Sequence, residues 1–134
     1  MTKLADIEGI GGVNVDKLKK LGILSLEDLL SAGCSPEGRK SIAGRTGISD
    51  KSLLEWVNHA DLFRIKGVGQ EYADLLEEAG VDTVVELAQR SPANLMVKMA
   101  EVQTVKKLVR KLPAQSQVEN WIHQARQLPR VITY

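Results

Sequence analysis

Two short segments carry residue types that could hold an anion. Gly9-Ile10-Gly11 and Gly67-Val68-Gly69 each set two glycines around one apolar residue. Glycine allows positive φ and close backbone approach, while the apolar residue between can turn into a core and lock the turn. A helix starting just after such a turn presents backbone N–H groups that have no intrahelical partner, at its positive end. That arrangement suits phosphate. Lys17 follows the first turn and Lys66 precedes the second. A separate cluster, Lys106, Lys107, Arg110 and Lys111, follows helical spacing, with Val105, Leu108, Val109 and Leu112 on the other side. Those cations suffice for a few phosphate contacts and for weak, strongly salt-dependent binding.

The two turns differ as anion sites. After Gly11 come Gly12-Val13-Asn14, neutral and open; after Gly69 come Gln70-Glu71. A carboxylate on the first turn occupies the positive end of the helix and repels phosphate. Glu8 precedes the first turn where Lys66 precedes the second. The first turn is therefore expected to be the better phosphate site, helped by Lys17, and the second to be held back by Glu71.

Other reactive residues do not assemble into catalytic patterns. His59 and His123 have no second ligand at metal spacing. Cys34 sits in a Gly-Cys-Ser-Pro turn with no nearby histidine to activate it, and reads as a small buried or half-buried residue. Phosphate-loop, nucleophile-elbow and zinc-protease motifs are missing, and Gly67-Val68-Gly69 lacks the later glycine and preceding strand of a dinucleotide site. The expectation is a protein without catalytic residues, metal or cofactor.

The elements that position the turns repeat. At an offset of 58, Ile7-Glu8-Gly9-Ile10-Gly11 matches Ile65-Lys66-Gly67-Val68-Gly69. Leu18, Gly22, Ile23, Ser25 and Leu29 then match Leu76, Gly80, Val81, Thr83 and Leu87. Further on, Leu53-Leu54-Glu55-Trp56-Val57 echoes Val118-Glu119-Asn120-Trp121-Ile122. This predicts two repeats, 1–60 and 61–134, packed as one compact all-α domain of nine to eleven short helices. Ser25-x-x-Asp28, Thr83-x-x-Glu86 and Ser116-x-x-Glu119 are capping boxes, and Ser35-Pro36 and Ser91-Pro92 mark further helix starts. Gly22 and Gly80 are helix stops. Trp56 and Trp121 read as core anchors. Arg130-Val131-Ile132-Thr133-Tyr134 reads as an extended tail that docks across the second repeat or stays exposed as a docking peptide, with Pro129 ending the helix before it.

Composition narrows the class. The chain has 134 residues, 18 Lys and Arg against 17 Asp and Glu, and a net charge of +1, which argues against a strongly basic coat for nucleic acid. The charge is nevertheless segregated: residues 70–101 carry net −5 and residues 102–134 net +5. The basic cluster is thus a solvated face, a phosphate-contacting patch, or a partner for the acidic stretch. Only five aromatic residues exist, and none lies near the cluster in sequence to stack single-stranded bases. Apolar runs are too short to cross a bilayer, and the start of the chain lacks a signal-peptide stretch. With a single cysteine, a disulfide framework is excluded and the cytoplasm is the expected compartment.

The glycine turns with Ile7, Ile10, Val15, Leu18 and Gly22, and with Ile65, Val68, Ala73, Leu76 and Gly80, resemble the helix-hairpin-helix superfamily. That resemblance implies paired hairpins that grip DNA phosphates without reading sequence, with hairpin carbonyls that sometimes hold a monovalent cation. Leu18-Lys19-Lys20-Leu21-Gly22-Ile23 followed by Ser25-Leu26-Glu27-Asp28-Leu29-Leu30 also looks like the C-terminal domain of the bacterial RNA polymerase alpha subunit, which contacts DNA and activators. Nearly the whole chain is similar to an uncharacterised bacterial family, a domain of unknown function with tandem helix-hairpin-helix repeats. Its signature looks like Asp61-Leu62-Phe63-Arg64-Ile65-Lys66-Gly67-Val68-Gly69 continued by Tyr72-Ala73-Asp74-Leu75-Leu76.

The functional expectation is a small non-enzymatic binding module. Its first candidate ligand is double-stranded DNA, bound weakly through Gly9, Gly11, Gly12, Lys17, Lys66, Gly67, Gly69 and Gln70, with the cluster Lys106, Lys107, Arg110 and Lys111 in support. The alternative is a protein–protein adaptor that touches no nucleic acid.

Overall fold

The computed structural model describes residues 2–7 and 9–134. Among these residues the protein is all-α, with eight α-helices, one 3-10 turn and no strand; a single bridge pairs Lys3 with Ser25. Two compact units form, Met1–Asp61 with Val131–Tyr134, and Leu62–Arg130.

The first unit holds the 3-10 turn Leu4–Asp6, then α1 (Gly11–Lys19), α2 (Leu26–Gly33), α3 (Pro36–Thr46) and all but the last residue of α4 (Asp50–Leu62). Helix α1 stops because Gly22 takes φ +80. This conformation returns the Ile23 N–H to Leu18 O at 3.1 Å and buries Ile23. Ser25 then opens α2. Its Oγ accepts from the Asp28 N–H at 3.1 Å, while Asp28 Oδ2 accepts from the Leu24 N–H at 3.0 Å. Ser35 opens α3 in the same way, accepting from the Gly38 N–H at 3.1 Å with Pro36 in the first turn. Helix α3 packs on α1 and α2, over a core that includes Leu18, Leu26, Leu29, Ile42, Leu53 and Trp56.

The second unit holds α5 (Gln70–Glu78), α6 (Val84–Ala88), α7 (Pro92–Lys106) and α8 (Gln115–Gln127). Its turn after α5 uses the same bonds 58 positions on. Gly80 takes φ +93, the Val81 N–H reaches Leu76 O at 2.8 Å, and Thr83 Oγ1 accepts from the Glu86 N–H at 3.4 Å. Glu86 Oε2 accepts from the Asp82 N–H in return, at 3.3 Å. Helices α6 and α7 pack against α8, and α5 against α7. Trp121 on α8 is buried among Leu75, Leu76, Leu87, Leu95 and Met99.

Several expectations are corrected. The stretch Lys106–Lys111 is not a helix: α7 ends at Lys106, and Lys107 adopts φ +51 with its N–H on Gln103 O. The reason is visible in Gln103, whose carboxamide accepts from the Val109 N–H at 3.1 Å and donates to Val109 O. That side chain replaces the next helical turn and lets Val109 drop into the core. Helix α8 begins at Gln115 rather than after Ser116. The Ala114 N–H is taken by Gln117 Oε1 at 2.8 Å, so Glu119 has no capping role. Ser91 precedes α7 without a side-chain cap bond. The tail is extended as expected, but it belongs to the first unit: Ile132 is buried and the Thr133 N–H donates to Cys34 O at 2.7 Å.

The beginning of the chain is tied down by α2. The Thr2 N–H donates to both Glu27 carboxylate oxygens, at 3.1 and 3.2 Å, and the Leu26 N–H donates to Thr2 O at 2.9 Å. Burial pushes the Glu27 carboxyl upward, but hydrogen bonds from its own N–H, Thr2 and Ser25 outweigh it and hold it below its ordinary 4.5. A depressed carboxyl stabilises the fold above its ordinary value and loses that contribution as pH falls through the folded one. An NMR pH titration should therefore show the Thr2 amide moving with a midpoint below 4.5, and Glu27→Gln should abolish that transition. Removing a buried indole leaves a large cavity, so Trp121→Ala and Trp56→Ala should each cost about 3–5 kcal/mol in chemical denaturation.

Candidate functional site

Gly67, Gly69, Gln70 and Tyr72 from the second turn meet Arg110 and Lys111 from the loop after α7. Together with Glu71 they line one cleft of about 420 Å³. Gly67 is required there on two counts. It takes φ +97, and a Cβ on it would stand 3.0 Å from Trp121 Nε1. Gln124, one helical turn beyond Trp121, accepts from the Lys66 N–H at 2.8 Å and donates to Lys66 O at 3.0 Å. Helix α8 thus sets the turn with an indole and a carboxamide. Tyr72 sets the basic loop: its hydroxyl donates to Lys111 O at 3.3 Å, and its ring centroid lies 5.1 Å from that of Trp121, tilted by 54°.

Charge in the cleft is mixed. Arg110 Nε lies 4.0 Å from Glu71 Oε1, with side chains 93% and 56% exposed. Such an open pair is worth little, so the guanidinium can exchange its partner readily. Gly69 caps α5 with φ −100, so it does not match the φ +73 of Gly11; only Gly67 and Gly9, at +97 and +86, share the left-handed conformation.

The expected basic face is divided. Lys106 Nζ bonds Glu78 Oε2 at 2.8 Å, which realises part of the pairing between acidic and basic stretches. Lys107 is exposed at the bend. Only Arg110 and Lys111 reach the cleft. Lys66 is exposed, and it is its backbone rather than its side chain that the structure engages.

In the first unit, α1 begins at Gly11. Gly11, Gly12 and Val13 are exposed, and the Asn14 amide donates to Ile10 O at 2.7 Å. Lys17 is half-buried nearly two turns along α1. Glu8, the acidic neighbour of this turn, lies outside the described residues. Cys34 is half-buried, with its Sγ donating to Ser31 O.

Two participants escape the sequence reading. Tyr72 brings an aromatic ring beside Lys111 although 39 residues separate them. Gln124 holds the turn from 58 residues away, and its only signal is its place opposite His59 in the downstream echo.

A family model described as Domain of unknown function (DUF4332) matches residues 8–128. No curated protein and no solved structure matches the chain. No helix among the described residues is long and apolar enough to cross a membrane.

Gly67 makes the site's construction testable. Gly67→Ala adds a positive-φ penalty to the contact with the Trp121 indole, so it should cost more than about 1 kcal/mol in chemical denaturation. Gly69→Ala should cost clearly less, because its φ is extended and no atom lies within 4 Å of the place a Cβ would take.

Proposed function

This chain belongs to the DUF4332 family, and from its geometry we propose that it is a non-enzymatic binding module that holds duplex-DNA phosphates, without reading sequence, through helix-hairpin-helix turns. The observation that carries this reading is the convergence of Gly67, Gly69 and Gln70 with Arg110 and Lys111 in one cleft. A helix start and two cations there offer backbone donors and charge to the same group. The matched hydrogen-bond patterns at Gly22 and Gly80, with Ser25 and Thr83, support two copies of the hairpin. The open helix start at Gly11-Gly12 supports a second phosphate contact on the first unit. Glu71 tempers the affinity, because it competes for Arg110 at the same helix start.

A protein-adaptor reading has one observation of its own: Val97 and Val105 on α7 are 60% and 80% exposed. Salt separates the two readings. Phosphate binding weakens steeply with ionic strength, whereas apolar docking does not.

Fluorescence anisotropy with a short duplex at several salt concentrations tests the proposal. Binding should be weak at low salt and fade as salt rises. Arg110→Glu with Lys111→Glu should flatten the log–log salt slope by about two phosphate contacts. Glu71→Gln should tighten binding and Lys17→Glu should weaken it. Absence of binding at low salt, or a salt-independent affinity, sinks the DNA reading.

A further inference from the structure

We propose that the first unit carries a separate anion site, at the meeting of α3 and α4, which takes the phosphate end of a small phosphomonoester. The site is a cleft of about 390 Å³ lined by Pro36, Arg39, Lys40, Asp50, Lys51 and Leu54. The most buried cation in its lining is Arg39, only 7% exposed. The guanidinium donates to Gly33 O at 2.8 Å and to Thr133 O at 2.7 Å, both neutral carbonyls. A buried charge without a counter-charge is costly, and arginine at such depth ordinarily faces a carboxylate or phosphate, often through two parallel bonds. A guanidinium has five N–H donors. Among the described residues those beyond the two carbonyl bonds have no acceptor, and the residue lines an open cleft.

The surroundings match an anion of more than one charge. Arg39, Lys40 and Lys51 face a single carboxylate, Asp50, so the lining is net +2. Pro36 and Asp50 are the first residues of α3 and α4, and the carboxylates of Glu37 and Asp50 in those first turns offset the pull of the helix starts, so the attraction rests on the arginine and the two lysines. At α4, Ser49 Oγ takes the Ser52 N–H and Ser49 O takes the Leu53 N–H. The N–H groups of Asp50 and Lys51 are left without an acceptor among the described residues. The charge favours a phosphomonoester dianion over the singly charged phosphodiester of a nucleic-acid backbone. The volume falls within the range of small-molecule sites and exceeds what one phosphate group fills, and Leu54 and Pro36 give an apolar wall for an organic substituent.

Amide NMR titrations of the full chain at constant ionic strength, with phenyl phosphate, phenyl sulfate and inorganic phosphate as probes, test this site. Phenyl phosphate should give saturable shifts at residues 36–40 and 50–54. Phenyl sulfate, with one charge fewer, should bind at least about tenfold more weakly, as the loss of a charge-assisted contact implies. Inorganic phosphate should also bind more weakly. Lys40→Glu with Lys51→Glu, both exposed positions, should lower affinity by at least about tenfold without changing the melting temperature, and Asp50→Asn should raise it. Arg110→Glu with Lys111→Glu should leave it unchanged, which keeps this site distinct from the DNA proposal. The site is overturned if no saturable shift appears, if the three probes bind alike, if the lysine variant binds like wild type, or if the Arg110 and Lys111 variant removes binding.

Discussion

The second unit is organised around the contact between Trp121 and Gly67. The indole lies so close to the turn that a Cβ at residue 67 would stand 3.0 Å from Nε1, and the turn in turn needs φ +97. Tyr72 packs its ring, tilted, against the same indole and ties Lys111 to α5. Gln124, from the same helix, bonds both backbone groups of Lys66. The orientation of the turn, the start of α5 and the position of the basic loop thus all refer back to one face of α8. A cleft built in this way is preorganised by packing, so a ligand pays little to order it.

Polar side chains complete backbone groups in many places where regular structure stops. Gln103 closes α7 by bonding Val109, and Gln117 takes the Ala114 N–H at the start of α8. Arginines serve carbonyls: Arg64 on Pro129, Arg90 on Ala79, Arg126 on Ala88, and Arg39 on Gly33 and Thr133. Short helices joined by tight turns leave many unpaired carbonyls, and long cationic side chains can reach them while keeping the connections short. This use of arginine also bears on charge. The overall near-neutrality includes the guanidinium groups of Arg39, Arg90 and Arg126, whose partners among the described residues are carbonyl dipoles, which leaves their charge available to anions where a cleft reaches them. Arg39 is the deepest of these.

Much of the local structure was legible in the sequence, because it depends on residues a few positions apart. The stops at Gly22 and Gly80 follow from positive φ, and the starts at Ser25, Ser35 and Thr83 from hydroxyls three residues before an N–H they can accept. The burial of Trp56 and Trp121 follows from size and helical spacing. The all-α class needs nothing beyond these signals. Within the candidate site, the glycines and the basic residues were also identifiable by type.

Which of those residues meet was decided by tertiary structure. Spacing alone made Lys106–Lys111 a continuous helical face. Burial of Val109 and the Gln103 carboxamide break the helix at Lys107, sending Lys106 to Glu78 and bringing Arg110 and Lys111 to the α5 turn. The tail's extended form was readable from Pro129, but its docking on Cys34 and Arg39 depends on a buried Ile132 and on two hydrogen bonds across about a hundred residues of sequence, one from the Thr133 N–H to Cys34 O and one from the Arg39 guanidinium to Thr133 O. Tyr72 and Gln124 carry no motif, and they matter only because packing on Trp121 and α8 brings them to the turn. Caps and stops are set by neighbours along the chain. A site is set by contacts across it, and those depend on how the apolar faces pack.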